Sequence, residues 1–451
     1  MSDLSAYRDY RESSIPWIAT IPAHWEDVRA RFVARLETGH TPDRDESSYW
    51  DGDIPWFSLS DMSRVRESGS RYVSETNEYI TKKGLNNAST RLVPSGTVIL
   101  SRTATIGFTC ILKVEAATDQ SMVNWVCGDE LIPEFLYYVF ESMGEEFDRL
   151  AEGSTHKSIY MPDVRSIKIP LPPVEEQSKI VKFLNNQLDI ISTLLNKFDK
   201  IREAAERKKN SIVSGAVTHG LGNSNTTDSG VGWIGQVNSD WDVISTKFVA
   251  QLESGHTPDR SKDEYWENTN IPWLTTSDIK KFRGNKKRYL HETENQISEL
   301  GMENSGAHLL PEGTVFLSRT ASVGFSGIMG KPMATSQDFA NWVCGDEIIP
   351  EYLLYVFRSM EQEFERLMQG STHQTIYMPD IKSFKTPLPP VEEQREIVEH
   401  VETETERLWE LIDRVDETID LLEEKRQALI TAAVTGQIDV SEEKGVIQGD
   451  D

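Results

Sequence analysis

"GSTHKSIYMPDVRSIKIPLPPVEEQ", residues 153–177, returns 217 residues later as "GSTHQTIYMPDIKSFKTPLPPVEEQ", residues 370–394, with 19 of 25 positions identical. Solenoid repeats recur every 20 to 50 residues or so, so a period this long means two copies of a whole domain. The stretch also changes character partway. Pro172 and Pro173, like Pro389 and Pro390, impose extended backbone, and after them neither Pro nor Gly interrupts residues 174–213 or 391–434. A domain ends and a long helix begins, twice.

Downstream, Val181, Leu184, Leu188, Ile191, Leu195 and Phe198 alternate steps of three and four, which is the seam of a coiled coil. Val398, Val401, Leu408, Ile412, Val415, Ile419, Leu422 and Leu429 repeat it, interrupted at Thr405 and Arg426. The helices differ in charge. Residues 174–213 hold eight Lys or Arg against six Asp or Glu, and residues 391–434 hold five against fourteen. Opposite signs favour pairing with each other over self-pairing. The expectation is an intramolecular antiparallel coiled coil, a spacer of roughly 60 Å at about 1.5 Å per residue. Two solvated helix faces on separate domains are the alternative.

Upstream, "RFVARLETGHTPDRDESSYWDGDIPWFSLSDM" from Arg31 is answered by "KFVAQLESGHTPDRSKDEYWENTNIPWLTTSDI" from Lys247. "TDQSMVNWVCGDELIPEFLYYVF" from Thr118 is answered by "TSQDFANWVCGDEIIPEYLLYVF" from Thr335. Short β-rich runs with Gly and Pro punctuation, followed by an amphipathic helix carrying Phe135, Tyr138, Val139 and Met143, make each copy an α+β domain. The expected fold is α+β: two similar domains separated by two long antiparallel helices with pseudo-twofold symmetry. Its boundaries are domain 1 at 1–173, helix at 174–217, linker at 218–235, domain 2 at 236–390, helix at 391–438 and a disordered tail at 439–451.

The composition, 38% hydrophobic over 451 residues, supports well-packed cores. No signal peptide pattern and no run of eighteen apolar residues is present, so the expectation is a soluble, cytoplasmic protein with no membrane association. Cys127 and Cys344 occupy matching places without metal-ligand spacing and read as packed thiols. The net charge of −26 opposes nucleic-acid binding over the surface at large, yet permits a local basic stripe. Catalysis finds no support: Pro-Pro occurs only in "LPPV", a phosphate-loop motif is missing, and neither Ser101 nor His156 has a discernible orienting partner.

"IPW" at Ile54 and Ile271, "SRTATIG" and "SRTASVG", "GSTH" and "PLPPVEEQ", in that order twice, together with the ending "EKRQALITAAVTGQI", resemble the specificity subunit of Type I restriction-modification systems. The resemblance spans nearly the whole chain. It implies two target-recognition domains held apart by the helices, each reading one half of a bipartite site in double-stranded DNA. It implies as partners two methyltransferase subunits and restriction subunits acting as translocase and nuclease. S-adenosylmethionine, ATP and Mg would belong to those partners, and this chain would hold no cofactor, metal or catalytic residue.

Given that resemblance, the candidate DNA-contacting residues are polar groups at loop and strand ends. They are His40, Thr41 and Arg44 with their counterparts His256, Thr257 and Arg260; Arg102 with Arg319; Gln120 with Gln337; and Thr155, His156 and Lys157 with Thr372 and His373. Lys286, Lys287 and Arg288 in "IKKFRGNKKRY" are candidates for phosphate contact. Each has a plain alternative: Thr41 as the shaper of a turn before Pro42, Arg102 as the partner of a local carboxylate, His156 as a satisfied loop histidine, the basic run as a solvated loop. Trp50, Trp56 and Trp125 and their copies read as core. Because the two domains are close copies, the expected target is an inverted repeat, palindromic or nearly so, around an unspecified spacer. The rival readings are a coiled-coil scaffold that ignores DNA and a fused recognition-methyltransferase enzyme.

Overall fold

The structure is a computed structural model and describes residues 5–151, 158–222, 225–282, 284–320, 322–368 and 375–440. The chain divides into two compact units, Met1–Lys197 with Ile419–Asp451, and Phe198–Thr418.

Unit 1 is built on a five-stranded sheet of β1 (Ala34–Thr38), β2 (Tyr72–Val73), β3 (Val98–Ser101), β4 (Thr109–Leu112) and β5 (Met122–Cys127), in the order β1-β5-β3-β4-β2. Strands β3 and β4 are buried along their whole length, which is why they read as unbroken apolar runs rather than alternating ones. Helix α1 (Pro133–Glu141) packs on this sheet. Proline at its first turn costs no hydrogen bond, and its Phe135, Leu136, Tyr138, Val139 and Phe140 are buried with Trp125 in one core. A second, three-stranded sheet orders Ala117–Thr118, Trp50–Phe57 and Glu78–Ile80. Trp56 is buried there, with Trp50 packed edge-on at 5.1 Å between ring centroids.

The long helix α2 (Val174–His219) starts where the double proline predicts. Pro173 O accepts from the N–H groups of Glu176 (2.8 Å) and Gln177 (3.0 Å), and Glu175 and Glu176 suit the positive end of the helix. The recurrence of "VEEQ" at both helix starts has a structural cause. Gln177 is fully buried; its Oε1 accepts from Ile132 N at 2.8 Å, and its Nε2 donates to Glu130 O and Pro172 O, each at 2.8 Å. One amide thus pins the helix start to the loop before α1. Glu176 meanwhile accepts from Trp25 Nε1 at 3.1 Å and from the Tyr7 hydroxyl.

Unit 2 repeats this plan with β6 (Ala250–Ser254), β7 (Tyr289–Leu290), β8 (Val315–Ser318), β9 (Ser326–Met329) and β10 (Phe339–Cys344), in the order β6-β10-β8-β9-β7, helix α3 (Pro350–Arg358) and helix α4 (Val391–Val434). Gln394 makes the same three bonds, to Ile349 N, Glu347 O and Pro389 O. Glu393 takes Trp241 Nε1 at 3.1 Å.

Within each unit the two long helices run antiparallel. In unit 1, the Arg71 guanidinium bonds Asn185 on α2, and Gln427 on α4 bonds Glu141 O; Ile180, Leu184, Leu188 and Ile191 share a core with Leu429, Ile430 and Val434. In unit 2, Arg202 on α2 pairs with Asp416 on α4 at 3.4 Å, and Lys209 Nζ lies 3.6 Å from the Trp409 ring centroid. Of the expected seam, Leu184, Leu188, Ile191, Val401, Ile412, Val415 and Leu429 are buried, while Val181, Leu195, Val398 and Leu422 are half-covered.

Helix α4 ends at Val434, short of the boundary expected at 438. Gly436 adopts φ +71°, and a Cβ there would stand 2.3 Å from Pro22 Cδ, so the chain must leave the helix at that point. The segment read as linker holds a strand, Thr226–Asp228, paired antiparallel with Gln236–Asn238.

Candidate nucleic-acid interface

In unit 1 three separate segments meet at one loop cluster. Gly39 allows the first to press on the second, since a Cβ there would lie 2.2 Å from the carbonyl oxygens of Thr118 and Asp119. His40 N donates to Thr118 O at 2.9 Å. Thr41 then gives both its N–H (3.1 Å) and its hydroxyl (2.6 Å) to Gln120 Oε1. Because an N–H can only donate, the Gln120 amide is oriented, and its NH2 group is the end left to face outward. Arg102, at the end of β3, donates Nε to Gln120 O at 3.1 Å and Nη1 to Ile159 O at 3.5 Å. Its partners are carbonyls; the alternative of a local carboxylate does not hold among the described residues.

Unit 2 builds the same cluster. His256 N donates to Thr335 O at 2.9 Å and Thr257 Oγ1 to Gln337 Oε1 at 2.6 Å. Arg319 donates Nε to Gln337 O at 3.0 Å and Nη1 to Ile376 O at 3.2 Å. The next arginine breaks the symmetry. Arg44 forks onto Glu78 and lies 3.9 Å from the Trp50 ring centroid, and the Glu78 bond raises its pKa further. The residue matching Glu78 in unit 2 is Asn295, so the exposed Arg260 has no carboxylate partner among the described residues.

The basic run is placed differently from the cluster. Lys286 pairs with Asp413 and Arg288 with Glu402, both on α4, while the side chain of Lys287 is exposed. Two of these three cations therefore serve the acidic helix within unit 2. The matching residue in unit 1 is Arg71, which reaches Asn185 on α2 at the corresponding position. Thr155, His156, Lys157, Thr372 and His373 lie outside the described residues. Their flanks adjoin the cluster: Ser158 bridges to Thr103 and Thr375 to Thr320.

Neither of the two thiols at matching positions is poised as a nucleophile among the described residues. Burial pushes the Cys127 and Cys344 thiols up to about 12, far from thiolate chemistry at neutral pH. Trp56, Trp125, Trp273 and Trp342 are fully buried, as core residues. Among the described residues no helix is long and apolar enough to cross a membrane.

The family described as "Type I restriction modification DNA specificity domain" matches residues 22–204 and again residues 238–431. The chain belongs to this Type I specificity family. Among its relatives, the MjaIX specificity subunit of Methanocaldococcus jannaschii is 24% identical over 447 residues, covering 94% of this chain and 96% of that one. The EcoR124I/EcoR124II specificity subunit of Escherichia coli is 30% identical over 171 residues, covering 36% of this chain and 40% of that one. A solved structure titled as the basis of complex assembly and conformational transition of the type I R-M system is 19% identical, with a TM-score of 0.69 over 92% of this chain and 99% of that one, and shares the fold. A specificity subunit is the DNA sequence-recognition member of its system, is not an enzyme, and works in a complex with partner subunits that carry the catalytic activities.

Sequence reasoning on the specificity subunit missed the residues that hold the loop cluster in place. Glu78 is one, and Asn124 is another: buried, it donates to Thr118 Oγ1 at 2.8 Å, as Asn341 does to Thr335. The signal was present in "NWVC", where a polar residue recurs inside an otherwise apolar strand.

Proposed function

We propose that each unit reads one half of a bipartite double-stranded DNA site, with Thr41, Gln120 and Arg102 as the reading group of unit 1 and Thr257, Gln337 and Arg319 as that of unit 2. The single observation carrying this reading is that the same hydrogen bonds recur in both copies around side chains that project donors. Arg102 and Arg319 offer guanidinium groups free of carboxylates, suited to guanine O6 and N7 or to phosphate. Gln120 offers its NH2 to a base acceptor, while Gln337, whose carbonyl accepts only the Thr257 hydroxyl, keeps room to accept as well as donate. His40, His256, Arg44, Arg260 and Lys287 flank these groups as contacts that position the duplex.

Like readers favour like words, so the target is an inverted repeat with a spacer, relaxed at a position where Arg260 replaces the clamped Arg44. Two methyltransferase subunits and restriction subunits complete the machine. S-adenosylmethionine, ATP and Mg act in those partners. The net charge of −26 constrains the surface at large and leaves room for local donors such as Arg102 and Arg319.

The test is competition binding by the chain with its methyltransferase partner to duplexes selected from a random pool. Arg102→Ala and Arg319→Ala should weaken binding to similar degrees, each relaxing one half-site by about 1–3 kcal/mol of discrimination. Binding that ignores sequence, or is unmoved by either change, refutes the assignment and favours a protein-only scaffold.

A further inference from the structure

The duplication exposes one place where the two units are opposite in charge. Glu141 at the end of α1 corresponds to Arg358 at the end of α3, and Arg426 on α4 corresponds to Lys209 on α2, each 217 residues apart. In unit 1 the arrangement is complementary: Arg426 and Arg71 face the Glu141 carboxyl and offset the burial that raises it. In unit 2 the same place holds two cations. Arg358 donates Nη2 to Lys287 O at 2.7 Å, and its buried Nε has no partner among the described residues. Lys209 is 7% exposed, sits over Trp409, and reaches Gly284 O at 3.3 Å; no described carboxylate pairs with it. Two covered cations with an unmatched donor are costly unless an anion completes them.

A cavity of about 550 Å³ opens beside this pair. Of the other charged groups on its walls, Arg288 and Lys286 are engaged by Glu402 and Asp413, while Glu406 and Glu410 are solvent-exposed. We propose that the cavity binds a small phosphate monoester, with the Arg358 guanidinium and Lys209 Nζ holding phosphate oxygens and Glu406 and Glu410 accepting from hydroxyl or amino groups on the rest of the molecule. A guanidinium edge and an ammonium suit an oxyanion. The volume falls in the range of roughly 300–1,000 Å³ typical of small-molecule sites and exceeds what a bare phosphate fills. The two carboxylates discourage a polyanion, which sets the site apart from the DNA-reading clusters.

Thermal unfolding of the full chain, in sulfate-free buffer at fixed ionic strength, tests this with inorganic phosphate and adenosine monophosphate titrated separately. A saturable rise of roughly 5–10 °C is expected near a hundredfold excess over Kd. A larger shift with the nucleotide brings Glu406 and Glu410 into play; equal shifts assign recognition to the phosphate group. Arg358→Glu, which copies unit 1, pairs Lys209 internally and should raise the ligand-free melting temperature while abolishing the response. Lys209→Met should abolish the response independently. No saturable shift with either probe, or a response that survives in a folded variant of either kind, overturns the proposal.

Discussion

The Thr41 hydroxyl donates to Gln120 Oε1 at 2.6 Å, so a residue from the first loop of the domain sets the orientation of an amide 79 positions later. This bond, with that of the Thr41 N–H, fixes the orientation of the Gln120 amide. Gln120→Ala should remove about 1–3 kcal/mol of discrimination at one base pair. Thr41→Val, which keeps the shape and the backbone N–H bond to Gln120 Oε1 but removes the hydroxyl's, should cost about 1 kcal/mol. Methylation-motif sequencing of each variant should show one relaxed position in one half-site, with the other half unchanged.

The unlike surroundings of Arg44 and Arg260 predict unlike salt behaviour. Arg260→Ala should weaken DNA binding and lower the slope of log K against log salt by about 1. Arg44→Ala, whose charge already meets Glu78, should change the slope far less. Equal changes in slope would show that the Glu78 pair opens on the duplex.

Burial of Gln177 and Gln394 gives a stability prediction. Gln177→Leu strands Ile132 N, Glu130 O and Pro172 O without a partner and should cost unit 1 about 2–5 kcal/mol. Gln394→Leu should do the same to unit 2. Chemical denaturation of the full chain, with separate probes in the two units, checks both.

Much of the fold could be read from residues alone. The double proline, the heptad seam and the 217-residue period announced the helices and the duplication, because backbone restriction and periodic burial are local properties. The helix end at Val434 was less legible, since the close approach of Gly436 to Pro22 involves a residue over 400 positions away. The residues of the loop cluster were named one by one from their polar loop ends, but the cluster's internal order was not: nothing local says that Thr41 and Gln120 touch. The same limit applied to Lys286 and Arg288. A basic run looks identical whether it faces phosphate or an acidic helix, and only the packing of β7 near α4 decides.

Lys209 predicts a pH dependence of unit 2. Burial lowers its pKa to about 8, from 10.5, against opposing help from Glu206 and with Arg358 adding to the fall. Between these values the unfolded chain binds the extra proton, so stability should rise as pH goes from 8 to 10.5, while below 8 the burial penalty is fully present and independent of pH. Lys209→Arg, which cannot deprotonate in this range, should remove the rise. Subtracting the two stability curves isolates the lysine from the tyrosines that titrate nearby.

The most direct measurement of the central claim, that two copies of one reader face two copies of one word, is a genome-wide map of methylated adenines in a host expressing this subunit with its methyltransferase. The expected map is a single motif whose halves are inverted repeats, identical at all but about one position, across a spacer of fixed length. Two unrelated half-sites would contradict it.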